Sequence, residues 1–291
     1  MRKTSAGWYM LFVFPLFFIF STVVLAPFFM GIIYSFVSWD GLPLNPKTFT
    51  GFDNYLKMLS DARFVSSSLR TAYFTLISIV AINVLALAFA LVATTSLKAR
   101  NVARTMLFMP YLIGGLILGY IWKFILGDAF KALGEATGLS SIFFNWLIDP
   151  NFAVFALVVV TTWQMAGYVM IIYITGIQGI PEEVIEAAEV DGAGFWTKLI
   201  RIKFPLIMQS FTICLFLSIS SCFKIFDVNL SLTGGGPYNS TEMFAMNIYN
   251  EIFSLNNYGY GQSKAIAFFL AAACLTLAQV VITKKKEVEI Q

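Results

Sequence analysis

TAYFTLISIVAINVLALAFALVATT, residues 71–95, runs for twenty-five positions without an acidic or basic side chain. A helix needs about 20 mostly apolar residues to cross the hydrocarbon core of a bilayer, and this stretch supplies them. Five further segments meet the same test, at residues 8–36, 106–126, 152–177, 206–232 and 265–283. The first is too long for the core of a signal peptide and is read as an anchor that stays, with Pro15 and Pro27 as kinks. The composition agrees: 58% of the 291 residues are hydrophobic, 30 are Phe, and only 12% are charged. Soluble domains carry about a quarter charged residues, so a water-soluble fold could not hide this much apolar surface. The fold expected is all-α: a polytopic membrane protein with six transmembrane helices, in one domain covering residues 1–291.

The distribution of charge sets the orientation. Cytoplasmic segments of membrane proteins are enriched in Lys and Arg. With the N-terminus inside, Arg2, Lys3, Lys98, Arg100, Arg104, Lys198, Arg201, Lys203, Lys284, Lys285 and Lys286 all fall on that side. The outer loops, 37–70, 127–151 and 233–264, hold Lys47, Lys57, Arg63, Arg70 and Lys131, with Lys123 and Lys264 near span ends. Both termini are therefore expected to be cytoplasmic. No basic patch suited to nucleic acid stands outside the loops. Histidine is absent, which excludes His-based acid–base chemistry and His-ligated metal sites. Cys214, Cys222 and Cys274 lie in apolar segments without C-x-x-C spacing and read as small hydrophobes.

One stretch breaks the rule of charge avoidance. PEEVIEAAEVDGAG, residues 181–194, holds Glu182, Glu183, Glu186, Glu189 and Asp191, five of the chain's 16 carboxylates. It lies in the inside loop 178–205. Pro181 suits the first helical position, and Glu182 and Glu183 favour the first turn through the helix dipole. Glu182, Glu186 and Glu189 share one face, with Val184, Ile185, Ala187 and Ala188 beside it. Asp191 and Gly192 provide a stop and a sharp turn, after which GFWTKLIRIKFP forms a second amphipathic helix ending at Pro205. Small residues and unpartnered apolar side chains on a soluble loop point to a docking knob for a cytoplasmic protein.

Three blocks carry a family resemblance. EAAEVDGAGFWTKLIRIKFPL resembles the "EAA" loop of binding-protein-dependent ABC importer permeases, matched at Glu186, Ala187 and Ala188, at Asp191, Gly192 and Ala193, and at Phe204 and Pro205. LTGGGPYNSTEMFAMNIYNEIF, residues 232–253, resembles the outer loop after span five in the carbohydrate, maltose-type branch, and GFDNYLKML, residues 51–59, resembles that branch's segment between spans one and two. The resemblance implies a type I importer permease fold in a bacterial inner membrane. It implies a second homologous permease, two ATPase subunits that bind ATP and Mg, an extracytoplasmic solute-binding protein, and a sugar as cargo. The EAA helix would sit in a cleft of the ATPase, with Glu186 pairing to a basic residue there. Residues 238–257 would face the binding protein.

The chain itself has no G-x-x-x-x-G-K-[ST] phosphate loop, so hydrolysis is expected from another chain, and no cofactor is expected on this one. Gly234, Gly235 and Gly236 read as turn glycines before Pro237. Lys224 and Asp227, three apart inside an apolar span, are costly there; they read equally as an ion pair with each other or as a pathway lining. Trp163, Gln164 and Tyr168 in span four suit sugar hydroxyls and C–H faces, or an ordinary interfacial belt. With Ser218, Ser221 and Cys222 they lie near the family's transmembrane sugar site. A channel or secondary transporter working without ATP is the competing class; it would need coupling carboxylates at mid-membrane or an inverted repeat.

Overall fold

The structure is a computed structural model that describes residues 6–95 and 100–285. Arg2, Lys3, Lys98 and Lys286, used above for orientation, lie outside the described residues. Almost all regular structure is helical. In chain order come α1 (Ala6–Phe20), α2 (Ala26–Ser35), a two-residue hairpin pair β1 (Val37–Ser38) and β2 (Thr48–Phe49), α3 (Asp53–Ser60) and α4 (Ala62–Ala93). There follow α5 (Arg100–Phe108), α6 (Gly115–Phe124), α7 (Phe130–Thr137) and α8 (Pro150–Gln178). The remainder is α9 (Glu182–Val190), α10 (Phe195–Thr197), α11 (Phe204–Leu206), α12 (Met208–Phe223), α13 (Asp227–Leu232), α14 (Phe244–Tyr249) and α15 (Tyr258–Lys284).

Among the described residues, four continuous helices are long and apolar enough to cross a bilayer: Met10–Ser35, Ala62–Ala93, Pro150–Gln178 and Tyr258–Lys284. The third and fifth expected spans are not single rods. Arg100–Leu112 and Gly115–Thr137 meet at 98°, and Phe195–Leu206 and Met208–Phe223 at 75°. Six spans result only if each bent pair counts as one.

The bends have local causes. Pro110 lies in the 3-10 turn Met109–Leu112, and Ile113 and Gly114 then take extended backbone angles before α6 begins. Ile207, at φ −93° and ψ 12°, interrupts the chain between α11 and α12. A second interruption, Lys224 to Phe226, ends α12 at Phe223, so residues 206–232 do not form the continuous helix expected. In the first span Pro27 follows a π-helical turn at Ser21–Leu25, and Pro205, in α11, likewise follows a π-helical stretch at Lys198–Lys203. A proline leaves the carbonyl four residues earlier without its N–H partner, and a widened turn accommodates that gap.

The molecule divides into two compact units. One combines the described residues up to Val65 with Asn247–Leu270. Here β1 and β2 pair antiparallel, Val37 opposite Phe49 and Ser38 opposite Thr48. Aromatic rings pack around the hairpin: Phe36 meets Phe52 edge-on at 5.3 Å between ring centres, and Trp39 meets Tyr258 at 5.1 Å. Helix α15 starts at Tyr258, seven residues before the expected span, which places Lys264 inside the helix.

The other unit comprises Ser66–Met246 with the described residues from Ala271 onward. Its core is built around α8, where Leu157, Val169, Met170 and Tyr173 are fully or almost fully buried. The start of α8 is well specified: Pro150 takes the first helical position, and Asp149 Oδ1 accepts from the N–H groups of Asn151 at 2.9 Å and Phe152 at 3.1 Å. Gly167 lets α5 close in, since a Cβ there would overlap the Leu107 carbonyl. Such small-residue contacts are how helices approach one another in lipid, where no water drives them together.

Candidate functional site

The charged loop folds into an elbow of two helical arms. Helix α9 opens after Pro181, which occupies the capping position at φ −57° and ψ 136° rather than the first helical position expected from sequence. Glu182 and Glu183 fill the first turn. At the other end the Ala193 N–H donates to the Ala188 carbonyl at 2.9 Å and the Gly192 N–H to the Glu189 carbonyl at 3.0 Å. This paired 6→1 and 5→2 closure is a Schellman motif, and it requires a left-handed residue at Gly192, whose φ is +77°. Glycine alone adopts that angle without steric cost.

The second arm runs continuously from Phe195 to Leu206, with Pro205 near its end. Lys198 Nζ reaches Glu189 Oε1 at 2.7 Å and links the two arms. That hydrogen bond holds the Glu189 carboxyl below its usual range. Glu182, Glu186, Ala187 and Asp191 are exposed, whereas Ala188 turns inward. Large apolar side chains stand in the open beside them: Val190 is 88% exposed, Phe195 60% and Trp196 69%. A surface that presents both carboxylates and bare aromatic rings is suited to covering by another protein.

The span-four and span-five candidates divide into two sets. Gln164 Nε2 donates to the Ile113 carbonyl at 3.0 Å, and Tyr168 stacks on Tyr111 with centres 4.3 Å apart and planes 6° off parallel. Both therefore brace the break between α5 and α6. Trp163 is 41% exposed and meets Trp122 edge-on at 5.4 Å. Ser218 is fully buried: its hydroxyl donates to the Cys214 carbonyl at 2.7 Å and accepts from Asn83 Nδ2 at 3.1 Å. Tyr173 Oη in turn donates to Asn83 Oδ1 at 2.7 Å. This chain ties α4, α8 and α12 together, and Asn83, its centre, was missed in the sequence because a lone amide in an apolar run gives no periodic signal. Cys222 is buried and Ser221, its neighbour on α12, is exposed.

Lys224 and Asp227 do not pair with each other. Spacing of i, i+3 brings side chains together only on a continuous helix, and the backbone between these two leaves the helix. Both are exposed, one at the end of α12 and the other opening α13. Across α6 and α13 the packing is close, with the Ser231 hydroxyl donating to the Gly115 carbonyl at 3.4 Å.

The strongest charge cluster was also missed. Lys264 has no exposed surface, yet its ammonium lies 2.7 Å from Glu251 Oε2, 3.0 Å from Asp61 Oδ2 and 3.1 Å from Asn247 Oδ1. Tyr260 Oη donates to Asp61 Oδ2 at 2.8 Å, and Asn257 Nδ2 to Glu251 Oε1 at 2.7 Å. Partial burial works to raise the Asp61 pKa, but the hydrogen bonds from Lys264, Tyr260 and the Phe64 N–H, with the Lys264 charge, outweigh it and hold it at about 2. Asp61 also caps α4, accepting from the Arg63 N–H at 2.9 Å. The sequence placed Lys264 at a span end; the available signal was its position just ahead of an apolar run.

Among the described residues, four apolar helices long enough to cross a bilayer, two further helix pairs joined at sharp bends, and an exposed charged elbow describe a multi-pass membrane protein. The chain belongs to the binding-protein-dependent transport system inner membrane component family, which matches residues 59–288. It is 45% identical over 282 residues to the "Probable starch degradation products transport system permease protein" of Thermoanaerobacterium thermosulfurigenes, covering 97% of this chain and 96% of that one. It is 32% identical over 262 residues to the multiple sugar-binding transport system permease protein of Streptococcus mutans, covering 90% of each. Among solved structures, a bacterial ABC transporter involved in the import of the acidic polysaccharide alginate superposes with a TM-score of 0.81 at 19% identity, over 98% of this chain and 96% of the other. That likeness establishes a shared fold.

Proposed function

We propose that this chain is one permease of an ATP-driven carbohydrate importer, forming half of the translocation path. The observation that carries the reading is the 45% identity, along nearly the whole chain, to a relative named for starch degradation products. A neighbour of the same fold was solved in complex with an alginate pentasaccharide-bound periplasmic protein, at a TM-score of 0.76, which supports an extracytoplasmic binding protein as a partner here. The second permease, two ATPases carrying ATP and Mg, six spans and cytoplasmic termini complete the proposal.

In this reading the elbow is the mechanical input. Residues 182–206 are two short helical arms fixed by the Gly192 turn and the Glu189–Lys198 link, so they move as one body when gripped. Glu186, exposed on the first arm, pairs with a basic residue of the ATPase, and Val190, Phe195 and Trp196 supply apolar contact. The broken helices, flanked by Lys224 and Asp227, line the path for a hydroxylated cargo, as discontinuous helices do in other transporters. The test is reconstitution of this chain with its sister permease and ATPase in liposomes, with a loaded binding protein outside and ATP within. Uptake of labelled maltooligosaccharide that depends on ATP is the expected result; uptake by this chain alone, or capture of no ATPase, overturns the proposal.

A further inference from the structure

Outside the candidate path, one cleft in the first unit is built as a binding site. It has a volume of about 350 Å³, within the range of small-molecule pockets. Its walls bring together segments far apart in sequence: the hairpin and the loop it encloses, α3, and the turn leading into α15. The walls are fixed before any ligand arrives. Asp40 accepts from the Leu42 N–H at 3.0 Å and from Asn45 Nδ2, and Trp39 Nε1 donates to the Leu42 carbonyl at 2.8 Å. Asn54, itself buried, spends both amide hydrogens on the carbonyls of Ser35 at 2.9 Å and Val37 at 3.1 Å. On the far side Asn257 is held by Glu251 and Tyr260 by Asp61, and both of those carboxylates are anchored by the buried Lys264.

These bonds orient groups without exhausting them. Asn54 has both amide hydrogens engaged and Asn45 and Asn257 one each, while the amide oxygens of these residues are left to accept. The Lys57 ammonium, lying 4.4 Å from the centre of the Tyr260 ring, is left to donate. An isolated cation would meet Lys57, and an isolated anion would meet Asp40. A neutral molecule bearing many hydroxyls, each able to donate and accept, suits both charges at once.

We propose that this cleft binds one or two units of a neutral carbohydrate, as a site separate from the translocation path. The choice of carbohydrate among polyhydroxylated ligands rests on the function proposed above. The experiment is calorimetric titration of maltotetraose into the full chain in lipid nanodiscs, without binding protein or ATPase. Saturable binding is expected, weakened at least tenfold in the double variant Lys57→Ala, Asn45→Ala and abolished in Ser38→Trp, which fills the cleft from the exposed face of β1. Both variants are compared with the parent by elution profile and thermal unfolding; if Ser38→Trp fails to fold, the double variant decides. No saturable binding by the parent chain, or binding that survives these changes at full strength, overturns the inference and leaves the importer function standing. An importer that carries no sugar in liposomes overturns the function, whereas loss of maltotetraose binding in the cleft variants still supports the site.

Discussion

Lys264 and the elbow at residues 182–206 put charge to opposite uses. Around Lys264 an ammonium with no exposed surface is surrounded by two carboxylates, an amide and an aromatic ring, and every partner is within the same unit. At the elbow, Glu182, Glu186 and Asp191 stand in solvent beside bare Val190 and Trp196, and one charge pair spans the two arms. Buried charge is costly unless fully compensated, so it is used where geometry must not change. Exposed charge is cheap and weakly coupled, so it costs little where the chain meets water. The chain thus has a fixed region and an offered one, and the difference is visible in desolvation alone.

Replacing Lys264 by Met is the hardest test of that contrast. It leaves Asp61 and Glu251 facing each other with no cation, and removal of one partner from a buried pair costs about 3–5 kcal/mol. Thermal unfolding in detergent should show the largest drop of any single change considered, and adding Asp61→Asn with Glu251→Gln should restore much of it. If Lys264→Met melts like the parent, the region is not held by its charges.

Gly192→Val comes next. A left-handed angle costs a residue with a Cβ roughly 1–2 kcal/mol, and nothing lies within 4 Å of the added carbon, so strain alone is tested. We expect a folded protein, an elbow with a changed angle, and reduced ATP-driven uptake; Gly192→Asn should retain more uptake than Gly192→Val.

Acid sharpens the comparison from another side. The Asp61 pKa falls from the usual 3.8 to about 2 in the folded protein, so its contribution is present above pH 3.8 and is lost as pH falls through 2. A melting-temperature profile should decline over that interval, and Asp61→Asn should flatten it. The smallest effects on stability belong to the elbow. Glu189→Gln, breaking the exposed link to Lys198, should leave the melting temperature unchanged. Glu186→Ala should do the same while reducing co-purification of the ATPase, and unchanged capture would remove Glu186 from the proposed interface.

How much of this was legible beforehand varies by element. The apolar run at 152–177 is seen as α8 with its ends moved by two residues at most, and the run at 71–95 falls in α4, which begins nine residues earlier at Ala62, because hydropathy reports the apolar stretch and not the polar turns that extend the helix beyond it. The turn at Asp191–Gly192 was equally readable, since glycine after a helical pattern has a local cause. Gly234 and Gly235, read as turn residues, do take left-handed angles. The breaks at Ile113–Gly114 and Lys224–Phe226 were not seen, the first because the hydropathy of its stretch continues without interruption, the second because Lys224 and Asp227 were read as charges carried on a continuing helix. The pairing of Lys224 with Asp227 failed for the same reason, as it assumed a helix that the backbone does not form.

The sequence by itself determined the class of protein and the place where it offers charge to water, because transfer of side chains between lipid and water depends on composition within a single segment. Tertiary structure alone decided that Lys264 is buried among Asp61, Glu251 and Asn247, that Asn83 joins three helices, and that the walls of the cleft beside Trp39 converge. Those facts join residues as distant in sequence as Asp61 and Lys264, and hydrogen bonds of 3 Å depend on where the chain returns in space rather than on any local pattern.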